Sequence, residues 1–192
     1  MGFTTNNGRY ITLPLELVGD NVFNYLKLDS GEHSLKHYRR YNGDPSSVYD
    51  ELYPLDYSKV DLNQSVIFEL YDEIPCIFGG ENGSQTPSGM FKIQRISDKH
   101  EEFISGFNES YQNGVKLYGY IEIWEYYWIH SNMYVGKDIN RGNFMQHPEC
   151  KVQNGLNDDG TEHTSGCIRI PDQNKLDELM EMVYEGDIVD TQ

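Results

Sequence analysis

Residues 117–129, LYGYIEIWEYYWI, constrain the fold of this chain more than any other stretch. Ile121 and Ile123 alternate with Glu122 and Trp124, the period of two that a half-buried strand presents. The segment predicts one long strand ending at His130-Ser131-Asn132. A strand of this kind needs partners, and the rest of the chain offers them: RYITLPLELV near the start, SVIFELYD from residue 65, MFKIQRI from residue 90 and DIVDT near the end. The 15 tyrosines weigh the same way, because aromatic and β-branched side chains fit a pleated surface. One clear helix is expected. Pro171-Asp172 opens it, Leu176, Leu179, Met180 and Val183 fall on one face at i, i+3, i+4 and i+7, and Gly186 stops it. The stretch 101–116 reads as a polar loop with room for a short helix. The class expected is therefore mostly β, with one or two helices including one near the C-terminus.

A length of 192 residues suits one sizeable core with a small extension. Residues 61–192 are expected to form the main domain and residues 1–60 an N-terminal elaboration packed on it, with Lys36-His37-Tyr38-Arg39-Arg40 as an exposed basic face. Residues 132–162 are rich in Gly, Asn and Asp, and so long a weakly patterned connection predicts a lid or site wall. The net charge of −16 repels a phosphate backbone and an anionic membrane surface, so neither nucleic acid nor a flat membrane is an expected partner. No apolar run is long enough for a membrane-spanning helix, and MGFTTNNGRY lacks a charged-then-apolar leader pattern, so an export signal would lie outside these residues.

The chemistry centres on one of the three cysteines. Cys76 lies in apolar IPCIF and reads as a buried small hydrophobe, and Cys150 lies in the polar connection. Cys167 stands in Ser165-Gly166-Cys167-Ile168-Arg169. A nucleophilic cysteine needs a base or cation to hold it as thiolate, and backbone donors for the oxyanion formed on attack at a carbonyl. Gly166 permits a tight turn that aims successive N–H groups at one point. If residues 167–169 are extended, Cys167 and Arg169 share a face, where Arg169 stabilises the thiolate or holds a substrate carboxylate. His130, at the end of the strongest strand, is the better placed base, and Ser131 offers a carbonyl to orient it. His163 lies at the end of the polar connection and His147 within it. His33, His37 and His100 read as surface or satisfied core residues. A rival reading is a zinc site, since His147-x2-Cys150-x12-His163-x3-Cys167 has zinc-like spacing in an unusual ligand order; it would take Cys167 as a ligand.

Four segments, in order, resemble the catalytic domain of YkuD-type L,D-transpeptidases. Thr86-Pro87-Ser88-Gly89-Met90-Phe91-Lys92-Ile93 resembles the family's TPxGxF segment, Ile129-His130-Ser131 its I-H-[GS] segment, and Thr164-Ser165-Gly166-Cys167-Ile168-Arg169-Ile170 its S-H-G-C-I-R-[ML] segment. The helix that follows, with Glu185-Gly186-Asp187-Ile188-Val189, resembles its closing helix and strand. The resemblance implies a β-sandwich-like catalytic fold. It implies Cys167 as the acyl-accepting nucleophile, His130 as base, the Ser131 carbonyl as the group orienting His130, and N–H groups near Gly166 and Cys167 as the oxyanion hole. Ser165 would line the site and Arg169 would take a substrate-facing or supporting position. The implied reaction is attack on a peptidoglycan tetrapeptide stem, loss of the terminal D-alanine and transfer of the acyl group to an amine of another stem. The implied protein is a monomer working in the periplasm or cell wall, without metal or organic cofactor, acylated by carbapenem-type β-lactams. Transfer to water instead makes an L,D-carboxypeptidase, and loss of catalysis makes a wall-binding domain; both remain open at this level. Two features depart from the family pattern: Ser165 stands where the family has His, and the connection from His130 to Thr164 is longer than usual.

Overall fold

Strands far outnumber helices in the computed structural model, which describes residues 3–5, 7–48, 64–79, 85–98, 102–105, 115–125, 127–135, 142–143, 146–152 and 162–192. First come β1 (Phe3–Thr4), β2 (Tyr10–Pro14), a four-residue helix α1 (Leu15–Val18), β3 (Asn24–Asp29) and β4 (Ser34–Arg40). Then come β5 (Ser65–Pro75), β6 (Met90–Lys92), β7 (Arg95–Ile96), β8 (Glu102–Ser105), β9 (Val115–Tyr118), β10 (Tyr120–Trp124) and β11 (Tyr127–His130). Last are β12 (Ile168–Arg169), helix α2 (Gln173–Met182) and β13 (Ile188–Asp190). The protein is mostly β, with two α-helices among the described residues, and neither is long and apolar enough to cross a membrane.

The segment expected to be one strand is the end of β9 followed by a hairpin. Gly119, at φ +73°, takes the left-handed conformation that favours glycine and separates β9 from β10. After the turn at Glu125, β11 runs back antiparallel to β10, with Ile121 opposite Ile129 and Glu122 opposite Trp128. Alternation reports which face each side chain takes, and that pattern passes through a tight hairpin without a break. MFKIQRI divides for a different reason. β6 pairs with β13, β7 pairs with β10, and Ile93-Gln94 carry the chain from one sheet to the other. The stretch read as a polar loop, 101–116, contains β8 and the start of β9, paired antiparallel with Phe103 opposite Leu117.

The strands form a seven-stranded sheet in the order β1-β2-β5-β4-β3-β13-β6, a four-stranded sheet β12-β11-β10-β7, and the ribbon β8-β9. The first forty residues thus enter the larger sheet, with β4 and β3 between β5 and β13. Leu26, Leu28, Leu35, Ile74 and Val189 of that sheet meet Ile121, Ile123, Ile129, Ile168 and Ile170 near or on the smaller one, and Leu176, Leu179 and Met180 of α2 close the same core. Ile11, Leu13, Val18, Tyr25, Phe68 and Ile188 form a second cluster. Tyr25 and Leu26, like Ile188 and Val189, divide between the two clusters, as successive residues of a strand must when both faces of a sheet are covered. The basic stretch in β4 shares this alternation and is no exposed face. His37 and Tyr38 are buried, Lys36 Nζ pairs with Asp29 Oδ2 at 2.7 Å, Arg40 Nη1 donates to the Asp20 carbonyl at 2.8 Å, and of these five residues Arg39 alone is exposed.

Candidate active site

The small sheet brings the chemistry together through a parallel pairing. β11 and β12 lie side by side with Ile129 opposite Ile168 and His130 opposite Arg169, and Ile170 N–H donates to the His130 carbonyl at 2.8 Å. Ile129, Ile168 and Ile170 point into the core, so the alternate residues His130 and Arg169 take the opposite face. Cys167 stands one residue before Ile168 and receives a hydrogen bond from the Trp128 backbone, two residues before His130. The nucleophile and base read from sequence are therefore neighbours on adjoining chain segments.

His130 is buried, and its Nδ1 lies 2.6 Å from the Ser131 carbonyl oxygen. A carbonyl only accepts, so Nδ1 carries the hydrogen and Nε2 is left as the basic nitrogen. Burial pushes the imidazole from the ordinary 6.5 down to about 4, with the Arg169 charge adding to the drop and the Ser131 carbonyl opposing it. Burial also raises the half-buried Cys167 thiol, opposed by the Trp128 backbone bond. The resting pair is thus a neutral thiol beside a neutral imidazole. Cys76, pushed up to about 12 by burial, is an inert core thiol. All three cysteines are free.

The turn carrying Cys167 is built on Gly166 and Thr164. Gly166 sits at φ +107°, and a Cβ there would lie 2.6 Å from Tyr127 Cε1 and 3.2 Å from the Gln85 carbonyl oxygen. Both the torsion and the space exclude a side chain. Thr164 Oγ1 donates to the Cys167 carbonyl and accepts from Gly166 N–H at 3.2 Å. Thr164 escaped the sequence reading of the site, although a threonine three residues before a turn cysteine has the pattern of a hydroxyl-closed turn. Thr86 reaches the same place: its Oγ1 accepts from Gly79 N–H at 2.9 Å, and Gly79 forms a bridge with Thr164. At the other end of that segment, Thr191 Oγ1 accepts from Gly89 N–H at 3.1 Å. The four motif segments noted in the sequence thus lie against one another.

The remaining candidates fall into place around this turn. Ser165 is exposed. Ser131 is buried at 1 % exposure and contributes its carbonyl. Arg169 is fully buried, its backbone tied to Ile77 by bonds of 2.7 and 2.8 Å, so the substrate-facing alternative for its guanidinium finds no support here. Its Nη2 lies 2.6 Å from Glu162 Oε1. His163 repeats the local geometry of His130, with Nδ1 3.1 Å from the Thr164 carbonyl oxygen. His37 is a buried residue 2.8 Å from Asn24 Oδ1, His33 is exposed, and His100 lies outside the described residues. Among the described residues no group of three or more His, Cys, Asp or Glu side chains is arranged to hold a metal ion.

Comparison with known proteins gives a consistent result. Residues 56–190 match the family model of the L,D-transpeptidase catalytic domain, YkuD. No curated protein matches the chain. Among solved structures, an L,D-transpeptidase from Mycobacterium smegmatis is 16% identical at TM-score 0.50, with 95% of this chain and 66% of that one covered. L,D-transpeptidase 1 of Mycobacterium tuberculosis is 13% identical at TM-score 0.48, covering 88% and 60%. An L,D-transpeptidase (Yku) from Stackebrandtia nassauensis is 14% identical at TM-score 0.47, covering 90% and 57%. The chain thus spans less than two thirds of the length of each of these proteins. At these identities the likeness is one of fold.

Proposed function

The chain belongs to the YkuD family of L,D-transpeptidase catalytic domains, and we propose that it cross-links peptidoglycan tetrapeptide stems through an acyl-enzyme on Cys167. The observation that carries this reading is His130: its Nδ1 is committed to its own neighbour's carbonyl, which leaves Nε2 as a base on the strand beside the Cys167 turn. In the first step Cys167 Sγ bonds to the carbonyl carbon after the diamino acid's L-centre. The thiol proton passes to His130 Nε2 as the bond forms. The C–N bond to the terminal D-alanine then breaks, and the leaving amine takes that proton. In the second step an acceptor amine attacks the thioester, gives its proton to His130, and Cys167 departs as thiol. Backbone N–H groups of the Gly166-Cys167 turn hold the oxyanion in both steps. A neutral resting pair suits this sequence, because the thiolate need exist only as the substrate is attacked.

Arg169 acts in this reading as a support beneath the site, consistent with its complete burial. Ser165, exposed beside Cys167, shapes the acceptor side; the connection expected as a lid or wall, 132–162, lies largely outside the described residues. The working place is extracytoplasmic, where the stems are, and the protein acts as a monomer.

The test is intact-mass measurement after incubation with a carbapenem, joined to product analysis on tetrapeptide stems with and without an amine acceptor. A single covalent adduct absent from Cys167→Ala, and cross-linked product that depends on the acceptor, are expected. His130→Ala is expected to slow acylation by roughly 10²–10⁴-fold. Absence of both adduct and stem turnover in the folded protein would sink the reading, and release of D-alanine without cross-links would replace it with L,D-carboxypeptidase activity.

A further inference from the structure

Arg169 raises a problem that the proposed chemistry leaves unused. Its side chain has no solvent exposure. Its Nε and Nη1 have no hydrogen-bond partner among the described residues. A guanidinium cannot shed its charge, and a buried charge without a counter-ion is strongly unfavourable. The carboxylate beside it is Glu162, with Oε1 2.6 Å from Arg169 Nη2. Glu162 is itself partly buried, and its other oxygen lies 3.8 Å from Lys151 Nζ. It stands at the end of the long 132–162 connection, two residues before Thr164, which closes the Cys167 turn.

We propose that Glu162 is the counter-ion that holds Arg169 in place beside His130, and so is a positioning residue for the site's base. The proposal rests on the reading of His130 as that base. It also gives the last residue of the long connection a task, the pairing with Arg169. The chain of contacts is short. Glu162 pairs with Arg169, Arg169 stands opposite His130 in the β11–β12 register, and His130 adjoins Cys167 through β11. The charge that acts on His130 is Arg169 from β12, with Cys167 on the turn before it; around Arg169 stand Tyr134, which feels its charge, and Glu162, which also lies near Lys151. Arg169 is the charge that acts on His130 against protonation. Glu162 offsets that charge through its contact with the guanidinium.

The experiment is an NMR titration of the His130 imidazole in the full chain, with Cys167 alkylation rate at pH 7 as a second readout. In Glu162→Gln the proton-dissociation constant of His130 is expected to rise on the order of tenfold, and Glu162→Asp is expected to restore it. The double variant Glu162→Gln, Arg169→Met removes both charges and is expected to move the constant below the wild-type value; it serves where Glu162→Gln alone fails to fold. A His130 titration unchanged in a folded Glu162→Gln protein, or unchanged in the double variant, would overturn the proposal. The alkylation arm separates this from the base assignment. If His130→Ala leaves alkylation of Cys167 unaltered, the base reading fails, whereas the titration still reports whether Glu162 and Arg169 act on His130.

Discussion

Single residues govern the site through space and proton affinity. At Gly166 an added Cβ would meet Tyr127 Cε1 at 2.6 Å, at a φ of +107°. Gly166→Ala is expected to cost about 1–3 kcal/mol in stability and to slow Cys167 acylation at least as much as any change outside the reacting pair, read by chemical denaturation and adduct kinetics on the same samples. The two buried histidines set the acid behaviour. His37 and His130 both fall from 6.5 to about 4, mainly through burial. Above pH 6.5 each is neutral folded or unfolded, so neither changes stability. Between pH 6.5 and about 4 the unfolded chain takes protons that the folded chain refuses, and stability is lost as pH falls, on the order of 3 kcal/mol for each at the acid end. Denaturation across pH 4–8 is expected to show that loss. His37→Gln is expected to flatten part of it, and a slope unchanged in that variant would remove His37 from the account. The candidacy of Cys167 as the proposed nucleophile was legible from its neighbours in sequence. The burial of Arg169 was not, because alternation tells which side chains share a face and says nothing of what covers that face.

At the level of elements, helix α2 and strand β13 hold the large sheet to the small one. Asp172 caps α2 by accepting from Asn174 N–H at 2.9 Å. Asp172→Ala is expected to cost about 1 kcal/mol, the usual worth of such a cap, and to leave acylation by the folded protein intact. Asp187 matters more. Its fully buried carboxylate accepts from Phe23 and Asn24 N–H at 2.8 and 3.0 Å, from Asn24 Nδ2 at 2.6 Å and from Tyr184 N–H at 2.8 Å. Four donors lose their acceptor in Asp187→Ala, so a loss on the order of 3 kcal/mol or more is expected by thermal or chemical denaturation. A cost no larger than that of Asp172→Ala would show that these donors find other acceptors. The helix was readable from its i, i+3, i+4, i+7 face because a helix repeats on its own residues. The hairpin at Glu125 and the crossing at Ile93-Gln94 were hidden, since both are fixed by partner strands far away in sequence.

Across the whole molecule, the larger sheet makes the first forty residues part of the structure that carries the site. β3 lies between β4 and β13, and β13 joins β6 beyond it. We expect residues 61–192 expressed alone to be unfolded, because β13 would lose β3 while Leu26, Leu28 and Leu35 would vanish from the main core. A fragment with native circular dichroism and a cooperative melt would instead make residues 1–60 a dispensable elaboration. By itself the sequence determined the strand-rich class and the closing helix, and it singled out Cys167 and His130 as the candidate pair, since those readings follow from local periodicity and from residue types at short spacing. Only the tertiary structure decided that β4 is interior, that Thr164 closes the Cys167 turn and that Glu162 faces Arg169. Each of these depends on which distant segment arrives alongside, and burial, pairing and charge compensation exist only once the sheets have closed.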